Sequence, residues 1–223
     1  NMVELKRHYE TPAGVVKALD GINLEIHEGE RVILLGPSGS GKTTLLNCLS
    51  ALDSPTDGSY IFQGNEVPRN SSEKMTSFRR ENIGYVFQFF NLLQDLTVLE
   101  NIQLIQELSG KKNPKRAKEL LSLVGLEEEM ERFPGEISGG QQQRIMIAIA
   151  IAKKPKLIIA DEATSSLDSL IKKDIIELLI ELKKELNTSL IIVSHNLNLI
   201  FKISSKVLFM NKGLIVEQGS TAE

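Results

Sequence analysis

The chain has 223 residues, of which 41% are hydrophobic and 25% charged, with a formal net charge of −3. This length allows one sizeable domain with an inserted subdomain, and the composition is globular rather than disordered. Without a basic excess, no nucleic-acid partner is expected. The single cysteine, Cys48, excludes an internal disulfide and a cysteine-based zinc site.

The chain opens without a charged-then-apolar secretory leader, and its densest apolar run is Ile145 to Ala152. That run is shorter than the roughly 18–20 residues that a membrane-spanning helix needs. We therefore expect a cytoplasmic protein whose membrane contacts pass through another chain.

The amino-terminal part predicts three short strands, Val3 to Tyr9, Ile22 to Ile26 and Arg31 to Leu35. Val32 to Leu35 is apolar without alternation, as expected of a strand that is covered on both faces in a parallel sheet. A helix from Lys42 to about Leu52 follows.

Two later apolar runs, Leu157 to Ala160 and Leu190 to Val193, each follow a helical periodicity, so an α/β sheet is predicted. Between about Phe89 and Lys154 the pattern is helical, which predicts an inserted helical subdomain. Its last helix, Gln141 to Lys153, is apolar nearly all round and should be buried. Asn211-Lys212-Gly213 predicts a hairpin turn.

Residues Gly36 to Thr43, GPSGSGKT, match G-x-x-x-x-G-K-[ST] between a predicted strand and a predicted helix. This is a P-loop: its glycines let backbone N–H groups surround phosphate oxygens, and the helix amino terminus adds its dipole. Lys42 would pair with the β- and γ-phosphates of ATP, and the Thr43 hydroxyl would help to hold Mg²⁺. Further phosphate contacts are predicted at Ser38, Gly39, Ser40, Gly41 and Thr44.

The apolar run Leu157 to Ala160 ends in two acids, Asp161 and Glu162. Beside a P-loop, at the carboxyl edge of the sheet, Asp161 can hold Mg²⁺ through water and Glu162 can polarise a water in line with the γ-phosphate. The alternative is that the strand simply ends in acidic residues, as many strands do.

Residues 137–144, ISGGQQQR, lie just ahead of a predicted helix and resemble the signature sequence of ABC ATPases. A serine and two glycines at a helix amino terminus form a second anion site, although such a loop can also merely cap the helix. In the family, the signature of one subunit closes over the γ-phosphate held by the P-loop of the other. The resemblance therefore implies a homodimer around ATP, with Ser138, Gly140 and Gln141 at the nucleotide.

The same resemblance implies further site residues in the order of the family. Gln88 matches the Q-loop glutamine that reaches Mg²⁺ and the attacking water, and Asp168 belongs to the D-loop at the dimer interface. His195 matches the switch histidine that contacts the γ-phosphate, unless it is a structural histidine. Tyr9 matches the aromatic residue that stacks on adenine, unless it only ends an edge strand. The implied catalytic residues are Lys42, Gln88, Glu162 and His195.

The resemblance covers essentially the whole chain. It implies an α/β fold with a RecA-like P-loop NTPase core and a mostly parallel sheet, an amino-terminal antiparallel β subdomain and an inserted α-helical subdomain. We predict that residues 1–88 and 155–223 form the ATP-binding core and that residues 89–154 form the helical subdomain.

Residues 83–93 and 96–101 are similar to the branch that contains lipoprotein-releasing, macrolide-exporting and cell-division ABC ATPases. This favours export or extraction through an integral-membrane permease that docks near Gln88 to Leu93, with the chain peripheral on the cytoplasmic face of the membrane. The candidates for the docking groove are Phe89, Phe90, Leu92 and Leu93, which could instead pack inside the helical subdomain. A nucleotide-gated scaffold of the cell-division type and a soluble, non-transport ABC ATPase remain alternatives.

Three residues depart from the family pattern. Ile137 stands where leucine is usual, Ala163 where proline follows the catalytic glutamate, and Ile149 where arginine is common. None of the three removes an atom that touches ATP, so we expect a subunit that hydrolyses ATP.

Overall fold

A computed structural model of the protein describes residues 1–87, 91–110, 112–163, 167–193 and 205–220. Its strands are β1 (Met2–Thr11), β2 (Gly14–Leu24), β3 (Arg31–Leu35), β4 (Asp57–Phe62), β5 (Asn65–Glu66), β6 (Ile83–Val86), β7 (Leu157–Asp161), β8 (Ser189–Val193), β9 (Lys206–Asn211) and β10 (Leu214–Ser220). Its helices are α1 (Lys42–Leu49), α2 (Ser72–Asn82), α3 (Val98–Leu108), α4 (Pro114–Leu123), α5 (Gly139–Ile151) and α6 (Ser169–Leu186), with a short 3-10 turn at Pro134–Glu136.

The chain divides into two compact units, Asn1–Arg79 with Ser189–Glu223, and Arg80–Thr188. The predicted domain boundaries, at 88/89 and 154/155, stay a prediction. Within the described part of the chain, no helix is both long enough and apolar enough to cross a membrane.

The strands of the first unit belong to two sheets. An antiparallel sheet has the order β2-β1-β4-β5, which is the amino-terminal antiparallel sheet that was predicted. In the second sheet, β3 lies between β8 and β9 and runs parallel to both. Strand β10 pairs antiparallel with β9. The β9–β10 pair is the predicted hairpin, with its turn at Lys212 and Gly213.

The second unit pairs β6 with β7 in parallel and packs α5 against β6 and against α3, α4 and α6. Helix α5 is buried, as predicted: Ile145, Ile147 and Ala148 are each 0% exposed. Ile149, one of the departures from the family pattern, is half-buried.

The uninterrupted apolar runs form strands that are covered on both faces. The side chains of Val32, Ile33 and Leu34 are each 1% exposed, and every residue of β8 is buried. A strand needs no polar face when both sides are covered, which explains why these runs lack alternation.

The structure corrects several sequence-based bounds. The strand predicted at Ile22 to Ile26 begins at Gly14 and ends at Leu24. The helix predicted to reach Leu52 ends at Leu49, because the backbone of Ala51 has φ 53°, outside the helical region. The sequence patterns predict neither strands β4, β5 and β6 nor helix α2.

Candidate functional site

The P-loop lies in the first unit, between the buried strand β3 and helix α1. Gly41 precedes the helix with φ 102°, and no side chain caps the amino end of α1, whose first turn has no acidic residue. A helix start with free N–H groups and no negative charge suits an anion. The loop residues Pro37, Ser38 and Gly39 and the hydroxyl-bearing Thr43 are exposed.

Two glycines of the P-loop are required by close backbone contacts. A Cβ atom on Gly36 would collide with the carbonyl oxygen of Met210, and one on Gly41 with that of Ala18. Gly213 in the β9–β10 turn donates its N–H to the carbonyl of Ser40, at 2.9 Å. Strand β2 and the hairpin therefore fix the shape of the loop from outside.

Lys42 is charged and nearly buried, with 8% of its surface exposed. Its Nζ donates to the carbonyl oxygens of Gly36, at 2.8 Å, and Pro37, at 2.9 Å, so the ammonium group lies against the loop. A buried cation requires such partners, and here both belong to the segment that would surround phosphate.

Ser40 is 2% exposed, and its Oγ has no hydrogen-bond partner among the described residues. Its N–H donates to the carbonyl of Pro37 at 3.2 Å, within the loop itself. An orphaned hydroxyl, a buried lysine and a glycine-lined backbone together fit the triphosphate of a nucleotide. The exposed Thr43 hydroxyl is an oxygen ligand of the kind that Mg²⁺ prefers, and its role in holding the metal stays a prediction.

Tyr9, the predicted adenine partner, is half-buried in β1, and its hydroxyl donates to Asp53 Oδ2 at 2.7 Å. The guanidinium carbon of Arg7 lies 4.4 Å from the ring centroid, and its Nε lies 2.8 Å from the same carboxylate oxygen. Burial and the hydrogen bond to Asp53 raise the pKa of Tyr9. Because Arg7 covers one face of the ring, adenine would have to stack on the opposite face.

In the second unit, Asp161 ends β7 beside Tyr85 of the neighbouring strand β6. The Tyr85 hydroxyl lies 3.4 Å from Asp161 Oδ2, and the Tyr85 and Phe87 rings stack with centroids 4.1 Å apart. Burial, and then the charge of Asp161, raise the pKa of Tyr85. The phenol therefore stays protonated near neutral pH and faces the carboxylate as a donor.

Glu162 follows at the end of β7 and has φ 47°, a left-handed backbone conformation that is uncommon for residues other than glycine. Glu162 is half-buried, and Ala163, which replaces the family proline, is 4% exposed. Seven other described residues that are not glycine, Ala51 and Asn187 among them, also have a positive φ, so the role of Glu162 stays a prediction.

The signature residues begin α5 in the second unit. Ser138 is the N-cap: its Oγ accepts from the N–H of Gln141 at 3.3 Å, and its own N–H donates to Gln141 Oε1 at 2.9 Å. This reciprocal capping box satisfies two helix-end donors. Ile137, the third departure, is 8% exposed, so the isoleucine side chain is buried.

Asp168 lies at the amino end of α6, where its Oδ1 accepts from the N–H groups of Leu170, at 3.1 Å, and Ile171, at 3.0 Å. The structure therefore gives this carboxylate a capping role. Gln88, Phe89, Phe90 and His195 lie outside the described residues. Leu92 is 6% exposed and Leu93 51% exposed, so of these two candidates for the docking groove only Leu93 is at the surface.

The structure groups the predicted residues unit by unit. Lys42, Thr43 and Tyr9 belong to the first unit, and Asp161, Glu162 and Ser138 to the second. That they bind one nucleotide together stays a prediction.

Sequence reasoning missed the buried amide side chains, of which Asn101 and Gln143 lie nearest to predicted functional segments. Asn101, 4% exposed, donates to the carbonyls of Leu93, Leu96 and Thr97 and accepts from the Leu93 N–H at 2.9 Å, which fixes the loop before α3. Gln143, 0% exposed, has its Nε2 3.5 Å from the carbonyl of Phe87, next to Gln88. The available signal was a polar residue at a core position of an otherwise apolar helix face.

Comparison with known proteins gives consistent matches. The family model described as ABC transporter matches residues 19–165. An uncharacterised ABC transporter ATP-binding protein of Thermotoga maritima is 44% identical over 89% of this chain and 86% of its own length. The methionine import ATP-binding protein MetN of Halalkalibacterium halodurans is 40% identical over 96% of this chain, which spans only 64% of that protein.

Solved structures agree. The dimeric, post-hydrolysis structure of the ATP-binding cassette MJ0796, bound to ADP and Pi, matches with a TM-score of 0.89 and 34% identity, covering 100% of this chain and 98% of that one. The structure of cbiO1 from Clostridium perfringens, part of the transporter complex cbiONQ, matches with a TM-score of 0.85 and 29% identity over 99% of this chain and 90% of that one. The predicted α/β P-loop fold is thereby confirmed.

Proposed function

The chain belongs to the ABC transporter family of ATP-binding proteins, and we propose that it works as a head-to-tail homodimer that hydrolyses ATP to drive a membrane permease. ABC cassettes are ATPases that bind ATP with Mg²⁺, so the predicted activity, nucleotide and metal are confirmed at the level of the family.

We assign the binding of ATP to the P-loop. Lys42 and the backbone N–H groups of the loop hold the β- and γ-phosphates, with Ser38, Gly39, Ser40, Gly41 and Thr44 as further contacts. Thr43, Asp161 and Gln88 would hold Mg²⁺, which would neutralise charge at the phosphates. Tyr9 stacks on adenine.

We assign the chemistry to Glu162, which accepts a proton from the attacking water, with Gln88 and His195 orienting that water and the γ-phosphate. Ser138, Gly140 and Gln141 of the partner subunit close the site, and Asp168 lies at the same interface. Most of the rate enhancement then comes from positioning and charge stabilisation.

The observation that carries this proposal is the P-loop itself, with Lys42 buried against the loop carbonyls and glycines fixed by backbone contacts. Hydrolysis by the purified chain with Mg²⁺ tests it. Glu162→Gln should lower the rate by about 100-fold or more and leave ATP affinity intact, because only the proton acceptor is lost.

Glu177→Gln is the matched control. Glu177 is exposed on α6, where its Oε1 lies 3.7 Å from Lys173 Nζ, and it belongs to none of the predicted site residues. This control should hydrolyse ATP at the parental rate. Parental turnover by Glu162→Gln would refute the assignment of Glu162.

For the direction of transport we propose export or extraction, on the resemblance of residues 83–93 and 96–101 to that branch, with the permease docking near Gln88 to Leu93 on the cytoplasmic face. Import is the second candidate, favoured by the 40% identity to a methionine import protein. Reconstitution of the co-purified complex in vesicles, with this chain and ATP on the outside, distinguishes the two: an exporter moves substrate into the vesicle and an importer moves it out.

A further inference from the structure

The amide of Gln141 is held at both ends. Its Oε1 accepts from the Ser138 N–H at 2.9 Å, and its Nε2 donates to Glu129 Oε1, also at 2.9 Å. An amide whose oxygen and nitrogen are both engaged has one orientation. Glu129 thereby fixes the side chain that completes the capping box of α5.

The backbone around Glu129 is fixed by hydrogen bonds. Glu129 is half-buried, and its segment is tied down by backbone hydrogen bonds from Glu129 N–H to Leu126, at 3.3 Å, and from Arg132 N–H to Glu129, at 3.0 Å. The neighbouring carbonyls of Met130 and Arg132 accept from the first N–H groups of α3, at 3.0 and 2.8 Å. The carboxylate is therefore presented from a segment fixed to the start of α3.

The capping box also decides what the Ser138 hydroxyl can do. A hydroxyl has one donor and two acceptor positions, and here its oxygen already accepts from Gln141 N–H. Its proton remains available for an oxyanion. Ser138 is exposed at the start of α5, where an anion from another molecule can reach it.

We propose that Glu129 is a positioning residue for the signature: by holding Gln141, it keeps Ser138 oriented toward the γ-phosphate bound by a second copy of this chain. This inference rests on the proposed function. The negative charge of Glu129 would repel a phosphate bound at Ser138. Glu129 therefore acts through the hydrogen bond that its carboxylate accepts from Gln141, and not through its charge.

The test uses the full chain carrying Glu162→Gln, which is expected to bind ATP without hydrolysing it. Two quantities are measured: the ATP-dependent dimer dissociation constant, by sedimentation, and the affinity of the monomer for a fluorescent ATP analogue. Adding Glu129→Ala should raise the dimer dissociation constant about tenfold, the equivalent of one lost cap. Affinity for the analogue should change less than about twofold, because the P-loop lies in the other unit.

Glu129→Gln distinguishes the hydrogen bond from the charge, since it keeps an acceptor oxygen and removes the charge. It should dimerise within about threefold of the parent. Glu128→Ala, at the exposed neighbouring glutamate, is the control and should leave both constants unchanged.

Parental dimerisation by Glu129→Ala, or dimerisation by Glu129→Gln as weak as that of Glu129→Ala, would overturn the inference. If the Glu162→Gln parent fails to dimerise with ATP, the proposed function itself is contradicted and the inference falls with it. The two failures are therefore distinguishable.

Discussion

At the residue scale, Cys48 shows how burial controls chemistry. Burial raises the pKa of its thiol to about 12, and the side chain is 1% exposed in α1. Because the thiolate is the reactive form, we expect thiol reagents not to label the folded protein at pH 8 and to label it fully in denaturant. Labelling of the folded chain at the rate of the unfolded chain would contradict this account.

The same shift predicts a pH dependence of stability. Above pH about 9 the unfolded chain loses the thiol proton and the folded chain keeps it, so the free energy of unfolding should fall as pH rises toward about 12. Below pH about 8 the Cys48 thiol is protonated in both states, so it does not make the free energy of unfolding depend on pH. Urea unfolding of the parent and of Cys48→Ala at pH 8 and pH 10.5 isolates the contribution, because every other titrating group is present in both chains.

At the scale of elements, Gly140 sets the distance between α5 and α6. A Cβ atom at this position would lie 3.0 Å from Ile171 Cγ2 and 3.4 Å from Cδ1. Overpacking of this kind costs about 1–3 kcal/mol, which exceeds the gain of about 0.5–1 kcal/mol from replacing glycine by alanine in a helix. We expect Gly140→Ala to destabilise the protein by about 1 kcal/mol.

A double-mutant cycle checks this reason. In a chain with Ile171→Ala the obstructing methyl group is gone, so Gly140→Ala should become neutral or stabilising, with a coupling energy of about 1–2 kcal/mol. Denaturant unfolding of the four chains measures it. Additive effects of the two substitutions would show that the two helices do not meet at Gly140 in the way described.

Elements differ in how readily the sequence predicts them. Strand β3 and the P-loop were predictable because a buried parallel strand and a glycine-lysine spacing are local patterns. The first half of β2 was missed because Val15 and Val16 are 62% and 51% exposed and show no alternation of burial. Helix α2 was missed because it has no fully buried residue and therefore no apolar periodicity.

The residues of the candidate site also differ in how readily the sequence predicts them. Lys42, Asp161, Glu162 and Ser138 are identifiable from motifs, because each motif combines the reactive residue with the local structure that presents it. Gln143 contacts a carbonyl 56 residues away, and Glu129 reaches Gln141 across 12 residues. Such partners depend on tertiary packing, which no local pattern records.

At the scale of the whole molecule, the two predicted anion sites lie at the helix starts at Gly41 in the first unit and at Ser138 in the second. The first fits phosphate with its own lysine, whereas the second offers a capped serine without a lysine. In a head-to-tail pair, each P-loop would receive the signature of the other chain, so that ATP joins the two subunits.

Sedimentation of the Glu162→Gln variant with and without Mg·ATP tests this ATP-dependent pairing most directly. We predict a monomer without nucleotide, a dimer with Mg·ATP, and a return to monomer when Ser138→Arg is added, because a bulky cation at the signature blocks the approach of the partner. A Glu162→Gln chain that binds ATP and yet stays monomeric at saturating nucleotide would contradict the account.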